Sequence, residues 1–236
     1  MTAMNTAHVV AFPTFSGIRC LMMPYIQGDP DSVPDMYAPY RDIVESVFLK
    51  RGDLGFLTID ESLAIEGKPH RGERARYARA LHTEAGKHPV GRIYMWGSER
   101  PERWGWGSPP PSPAPNKWGW GAAPSYKWGW GSASPVTLDR DVRILLANNL
   151  DNSCAVWNAE HEDTSLDGDI GHAADDYPYS DAIFLKAGEV HEIGILTPHE
   201  SLPVRQDCNR QFLRIISSGV HGREEYFTQN PLVALN

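Results

Sequence analysis

The sequence predicts a mainly β domain of α+β type, a jelly roll, with a short N-terminal helical support and one large irregular insertion. Three observations predict it. Five short runs rich in aliphatic residues occupy the C-terminal half: Val142 to Ala147, Cys154 to Trp157, Ala182 to Leu185, Val190 to Leu196 and Gln211 to Ile216. Turn-forming clusters such as Asn148-Asn149, Asp167-Gly168-Asp169 and Ala187-Gly188-Glu189 separate them, leaving little room for the helices that a parallel α/β sheet needs between its strands. With 236 residues, 41% of them hydrophobic, the chain can bury one substantial core, which predicts a single domain over 1–236.

Taken in order, the elements begin with a segment without a membrane signature. Residues 1–25 lack a basic stretch followed by an apolar run, and nowhere does the chain approach the roughly 20 apolar residues that span a bilayer. Met36 to Phe48 spaces Tyr37, Tyr40, Ile43, Val44, Val47 and Phe48 at helical intervals, which predicts an amphipathic helix stopped by Lys50, Arg51 and Gly52. Gly55 to Ile59 reads as a short strand. An arginine-rich stretch through Arg71, Arg74, Arg76 and Arg79 then leads to Leu81-His82-Thr83-Glu84 and a turn at Ala85-Gly86.

Between 103 and 135 the composition changes abruptly. Trp104-Gly105-Trp106-Gly107 recurs at Trp118 to Gly121 and Trp128 to Gly131, each copy preceded by Arg103, Lys117 or Lys127 and separated by Pro, Ser and Ala. Glycine and proline at this density deny the segment a periodic apolar face, so it reads as a low-complexity loop inserted between strands. Its tryptophans and neighbouring cations also offer stacking and cation–π contacts to a sugar, base or peptide.

The formal charge of -8 and pI of about 5.6 argue against nucleic acid or an anionic membrane as partner. Three dispersed cysteines, Cys20, Cys154 and Cys208, form neither a disulfide framework nor a CxxC zinc site, which predicts a reducing, cytoplasmic location. Phosphate-binding, nucleophile-elbow and HExxH motifs are all missing from the sequence. The stretch Asp167 to His172, followed by Asp175 and Asp176, collects oxygen ligands but lacks the twelve-residue calcium-loop pattern and its terminal glutamate, so it reads as a solvated turn. His172 could line a substrate pocket, and Trp96, Trp157 and Tyr94 are core aromatics or substrate contacts.

The chemistry-bearing residues are histidines, carboxylates and arginines on strand-like segments. In His82-Thr83-Glu84 the period of two places His82 and Glu84 on one face of a strand. His199, in Thr197-Pro198-His199-Glu200-Ser201, can add a second imidazole from a distant strand, and two histidines with one carboxylate can hold iron(II) while leaving three positions open. Arg210 follows His199 by eleven residues, and Arg214 stands four further along on the same strand face. Either guanidinium suits a carboxylate ligand through paired charge-assisted hydrogen bonds; as exposed strand residues they would instead pair with Glu192 or Asp207.

These residues resemble the iron(II)/2-oxoglutarate-dependent oxygenase superfamily through HTE at 82–84, His199 and Arg210, over roughly Leu81 to Ile216. The resemblance implies a double-stranded β-helix in which His82, Glu84 and His199 bind Fe(II). Arg210 then anchors 2-oxoglutarate with Arg214 as its reserve, and oxidative decarboxylation of 2-oxoglutarate drives hydroxylation of an unidentified substrate, small molecule or polymer. Glu84 departs from the commoner aspartate by one methylene. His161-Glu162-Asp163 offers a rival HxD pair, but only 35 residues separate Asp163 from His199, which is cramped for the strands that must intervene. Two other readings stay open: a non-catalytic β-sandwich binding or virion-type structural module using the WGWG copies, and a cupin-like metal enzyme without 2-oxoglutarate.

Overall fold

The computed structural model describes residues 8–70, 78–87, 93–95, 142–162, 168–217 and 228–233. The Trp/Gly insert at 103–135 lies outside them, as do Trp96 and Asp163, and of Tyr94 only the backbone is described. The fold is mostly β, with antiparallel sheets and few helical turns. Its strands are β1 (His8–Val9), β2 (Arg19–Ile26), β3 (Leu54–Ala64), β4 (Ala85–Lys87), β5 (Ile93–Met95), β6 (Arg143–Asn148), β7 (Cys154–Val156), β8 (Ile183–Phe184), β9 (Glu189–Gly194), β10 (His199–Ser201) and β11 (Cys208–Ser217). Among the described residues no helix is long and apolar enough to cross a membrane.

The principal sheet runs β1-β9-β6-β11-β3-β2, and a smaller one runs β10-β7-β8. β11 sits centrally, paired with β3 from Cys208↔Ala64 to Ser217↔Gly55 and with β6 from Phe212↔Asn148 to Ile216↔Ile144. Strand alternation gives the large sheet two different faces. On one, Met23, Tyr25, Leu57, Ile59, Leu213 and Ile215 pack with Tyr37, Tyr40, Ile43, Val44 and Val47. On the other, Phe56, Ile144, Leu146, Ile193 and Ile216 meet Val156 and Leu185 of the smaller layer. The space between the layers holds the polar residues discussed below.

The helical support is shorter than the periodicity of Met36 to Phe48 predicts. Asp35–Tyr40 forms a 3-10 turn containing Pro39, and a six-residue helix, α1 (Arg41–Ser46), follows. Proline lacks the amide donor and its ring collides with the carbonyl four residues earlier, so an uninterrupted α-helix is broken at Pro39. The apolar side chains still reach the core because the two short pieces together preserve the buried stripe.

β3 is twice as long as the Gly55 to Ile59 run because its second half is buried through hydrogen bonds. Glu61 accepts from the Ser16 and Ile18 amides at 2.7 and 2.8 Å, from Tyr40 Oη at 2.8 Å and from Gln211 Nε2 at 2.9 Å. Burial opposes its ionisation, but these donors outweigh it and hold the carboxyl below its ordinary range. A buried carboxylate with these donors thus ties the N-terminal segment, the helical support and the central strand together.

β2 carries an irregularity beside this network. Cys20 pairs with Ile59 and Met23 with Leu57, so three steps on β2 match two on β3. Met22 absorbs the extra residue at φ 48°, in the left-handed region, and its amide donates to Thr58 Oγ1 at 3.1 Å.

Candidate metal centre

The smaller layer extends beyond β10. His82 and His199 exchange backbone hydrogen bonds of 2.9 Å in both directions, an antiparallel bridge that adds the Leu81 to Glu84 segment as a further strand-like edge. The Thr83 amide bonds Gly168 O at 2.9 Å and the Ile170 amide bonds Leu81 O at 3.1 Å, so residues 168–170 flank the segment on its far side. Directly opposed residues in an antiparallel pair point to the same face. His82, His199 and, two residues on, Glu84 therefore all face the interior between the layers.

Their ligand atoms all lie within 4.8 Å of one another, and all three residues are buried. The imidazole centroids are 4.0 Å apart, and His199 Nε2 lies 3.4 Å from Glu84 Oε1. His82 Nδ1 is 2.7 Å from Ala80 O and His199 Nδ1 is 2.9 Å from Thr197 O. A carbonyl only accepts, so each Nδ1 carries a proton, and Nε2 is the nitrogen of each ring that would bind a metal in the cluster. Metal-binding histidines are oriented in this way, with the second ring nitrogen donating to a carbonyl or carboxylate. Two neutral imidazoles and a carboxylate fit a divalent transition metal, whose bonds of about 2.1 Å require only a modest inward contraction of these side chains.

A clamp on the outer face aligns the two histidine-bearing strands. Arg79 donates through Nε and Nη2 to Glu200 Oε2 at 3.0 and 2.8 Å, and through Nη1 to the carbonyls of Ala174 and Tyr177 at 2.9 and 2.8 Å. Its guanidinium lies 4.3 Å from the Tyr179 ring centroid and 5.1 Å from that of Trp157. Glu200 Oε1 accepts from the Ala80 amide at 3.2 Å. Glu200 follows His199, and Ala80 precedes His82 by two residues, so this ion pair sets one histidine strand beside the other. Arg79→Ala is expected to cost about 2 kcal/mol, since a buried carboxylate loses its charged donors; urea unfolding checks this.

The arginines take different partners from those the sequence offered. Arg214 Nη1 donates to Glu84 Oε2 at 2.7 Å, and Arg210 Nη1 lies 3.3 Å from Asp60 Oδ2. Glu192 pairs with Arg143 instead, and Asp207 accepts from the Glu66 amide. Both arginines are buried on the interior face of β11, with Phe212 between them in sequence. A cavity of about 370 Å³ opens here, lined by His82, Glu84, His199, Arg210, Phe212 and Arg214 together with Leu146, Asn148, Cys154 and Leu185 from β6, β7 and the turn after β8. Its volume matches a small-molecule site. Burial pushes the Cys154 thiol up to about 12 despite the Arg210 charge nearby.

One buried residue beside this cavity carries no sequence signal. Asp60, fully buried on β3, lies 3.1 Å from Arg19 Nε, 3.2 Å from His70 Nε2 and 3.3 Å from Arg210 Nη1, and accepts from Ser62 Oγ at 2.9 Å. The pairing of β3 with β2 and β11 brings Arg19 and Arg210 to it, and the segment after β3 folds back to add His70. His161 is set apart from the cavity: Nδ1 is 3.0 Å from Tyr177 Oη, and its ring centroid lies 5.9 Å from that of His172. His172 is exposed there and does not line the cavity. Asp169 Oδ1 accepts from the Gly171 amide at 2.8 Å within a turn. Trp157 is a buried aromatic packed against Tyr177, Tyr179 and Arg79.

No family model, curated protein or solved structure matches the chain.

Proposed function

We propose that the chain is a non-haem iron(II), 2-oxoglutarate-dependent oxygenase on a single jelly-roll domain, with His82, Glu84 and His199 as metal ligands. The observation that carries the reading is the convergence of these three residues on one cavity that also contains Arg210. Strand order supports the fold assignment. From β3 onward the chain visits the large sheet at β3, β6, β9 and β11 and the small layer at 82–84, β7, β8 and β10, giving neighbours β3-β11-β6-β9 in one and 82–84, β10, β7, β8 in the other. That interleaving is the pattern of two four-stranded sheets in a jelly roll.

When bound, iron(II) would activate dioxygen, the oxidant, whose two oxygen atoms end one in the succinate formed with carbon dioxide from 2-oxoglutarate and one in the hydroxylated C–H bond. The protein's part is positioning. The carbonyls of Ala80 and Thr197 hold the histidine tautomers. Arg210 suits the distal carboxylate of the cosubstrate because its contact with Asp60 engages one terminal nitrogen, so the other donors of the fork are the ones offered to a ligand. Arg214 suits that role less well, being committed to Glu84 at 2.7 Å. A cytoplasmic setting, where cysteines stay reduced, accords with Cys20, Cys154 and Cys208 all being free thiols.

One observation favours a second reading, a cupin-like metal enzyme without 2-oxoglutarate: both cavity arginines already contact carboxylates. Anaerobic iron(II) titration with and without 2-oxoglutarate separates the two. The oxygenase gives a weak visible metal-to-ligand band with both present, and loses it in His199→Ala. Iron binding without that band supports the cupin-like enzyme, and no iron binding in the wild type removes both.

A further inference from the structure

We propose that Arg214 is a positioning residue that decides which oxygen of Glu84 meets the metal: its Nη1 retains Oε2, and Oε1 is the ligand. This rests on the metal-centre reading above and extends it to the mode of carboxylate binding. Arg214 Nη1 to Glu84 Oε2 is 2.7 Å, and both side chains are about 95% buried. The other carboxylate oxygen, Oε1, is the one 3.4 Å from His199 Nε2, so the two oxygens already face different partners.

The guanidinium is itself held. Arg214 lies in the middle of the central strand, opposite Thr58 on β3 and Leu146 on β6. Its Nη2 contacts Met22 Sδ at 3.5 Å, and Met22 is the residue that the β2 bulge turns toward the interior face. A rigid strand on one side and a bulged methionine on the other fix the fork that grips Oε2.

The chemical need arises from the length of glutamate. One extra methylene adds a rotatable bond, so an unsupported Glu84 would spread its carboxylate over more positions and could close on a metal through both oxygens. Binding Oε2 to a buried cation removes that freedom and confines ligation to one oxygen, which preserves open positions on the metal. Arg214 acts through Glu84, so no contact with substrate is required of it.

The test uses the full-length protein and zinc as a redox-silent probe, with affinity read by competition titration and carboxylate mode by infrared difference spectroscopy on glutamate-labelled protein. One-oxygen binding gives a wide separation between the antisymmetric and symmetric carboxylate stretches, and two-oxygen binding a narrow one. The wild type is expected to show the wide separation. Arg214→Met should narrow it and weaken zinc binding roughly 10–100-fold, while Arg214→Lys, which keeps a charged donor, should retain the wide separation. A narrow separation in the wild type overturns the proposal whatever the variants do, as does an Arg214→Met protein whose spectrum and affinity are unchanged. Failure of the wild type to bind zinc would instead remove the metal-centre reading on which the proposal stands.

Discussion

Asp60→Ala is expected to lower the unfolding free energy by about 3–5 kcal/mol, the cost of stranding a buried charge by removing its partner. Arg210 is the charge left behind: it is only 8% exposed and takes Asp60 as its carboxylate contact. The change should also alter the pH dependence of stability. Burial opposes ionisation of Asp60, but the hydrogen bond from His70 and the charges of Arg210, His70 and Arg19 outweigh it and hold the carboxyl below its ordinary range. A depressed folded-state pKa means that the stabilisation is fully present above the unfolded value of about 3.9 and is lost as pH falls through the lower folded value. Urea unfolding at several acidic pH values should therefore show a steeper loss below about pH 4 in the wild type than in Asp60→Ala. Equal slopes would mean that Asp60 titrates alike in both states.

Divalent metal should stabilise the folded chain by about 4 kcal/mol when present at roughly a thousand times its dissociation constant, because the three ligands converge only after folding. For a chain of this size that is a rise in melting temperature on the order of 10 °C. Cobalt(II) under anaerobic conditions is a suitable probe. His82→Ala and His199→Ala should each abolish most of the rise while leaving the metal-free protein folded. An equal rise in wild type and both variants would place the metal elsewhere.

Much of the candidate cluster was legible in the sequence because one rule sufficed. Side chains two apart on a strand share a face, and His82 with Glu84 obeyed it. Chain length also favoured this pair over His161 and Asp163: between Glu84 and His199 the described residues include β6, β7, β8 and β9, whereas after Asp163 only β8 and β9 precede His199. What no single-chain pattern displays is pairing between distant strands. Asp60 is one of 30 acidic residues, and its importance comes from neighbours on β2 and β11. Arg214 likewise read as a reserve anchor because Glu84, its partner, stands 130 residues away.

The fold shows the same division. Of the strands described after 142, β6, β7, β8, β9 and β11 were visible as aliphatic runs between turns, whereas β10, His-Glu-Ser at 199–201, has no such run. β2 escaped notice because RCLMMPYI lacks clean alternation, and the second half of β3 because Asp60, Glu61 and Ser62 disguise a buried strand as a polar stretch.

The bulge in β2 acts as a change of parity. Before it, an even-numbered side chain, Cys20, faces the helical support; after it, the odd-numbered Met23 and Tyr25 do. Loss of one residue at 21 or 22 would close the bulge and keep Met23 and Tyr25 on the helical side, whereas loss of both would make Met23 the direct neighbour of Cys20 and turn Tyr25 toward the cavity. Between Cys20 and Met23 the count of residues is itself the specification: one can be lost without inverting the strand, and two cannot.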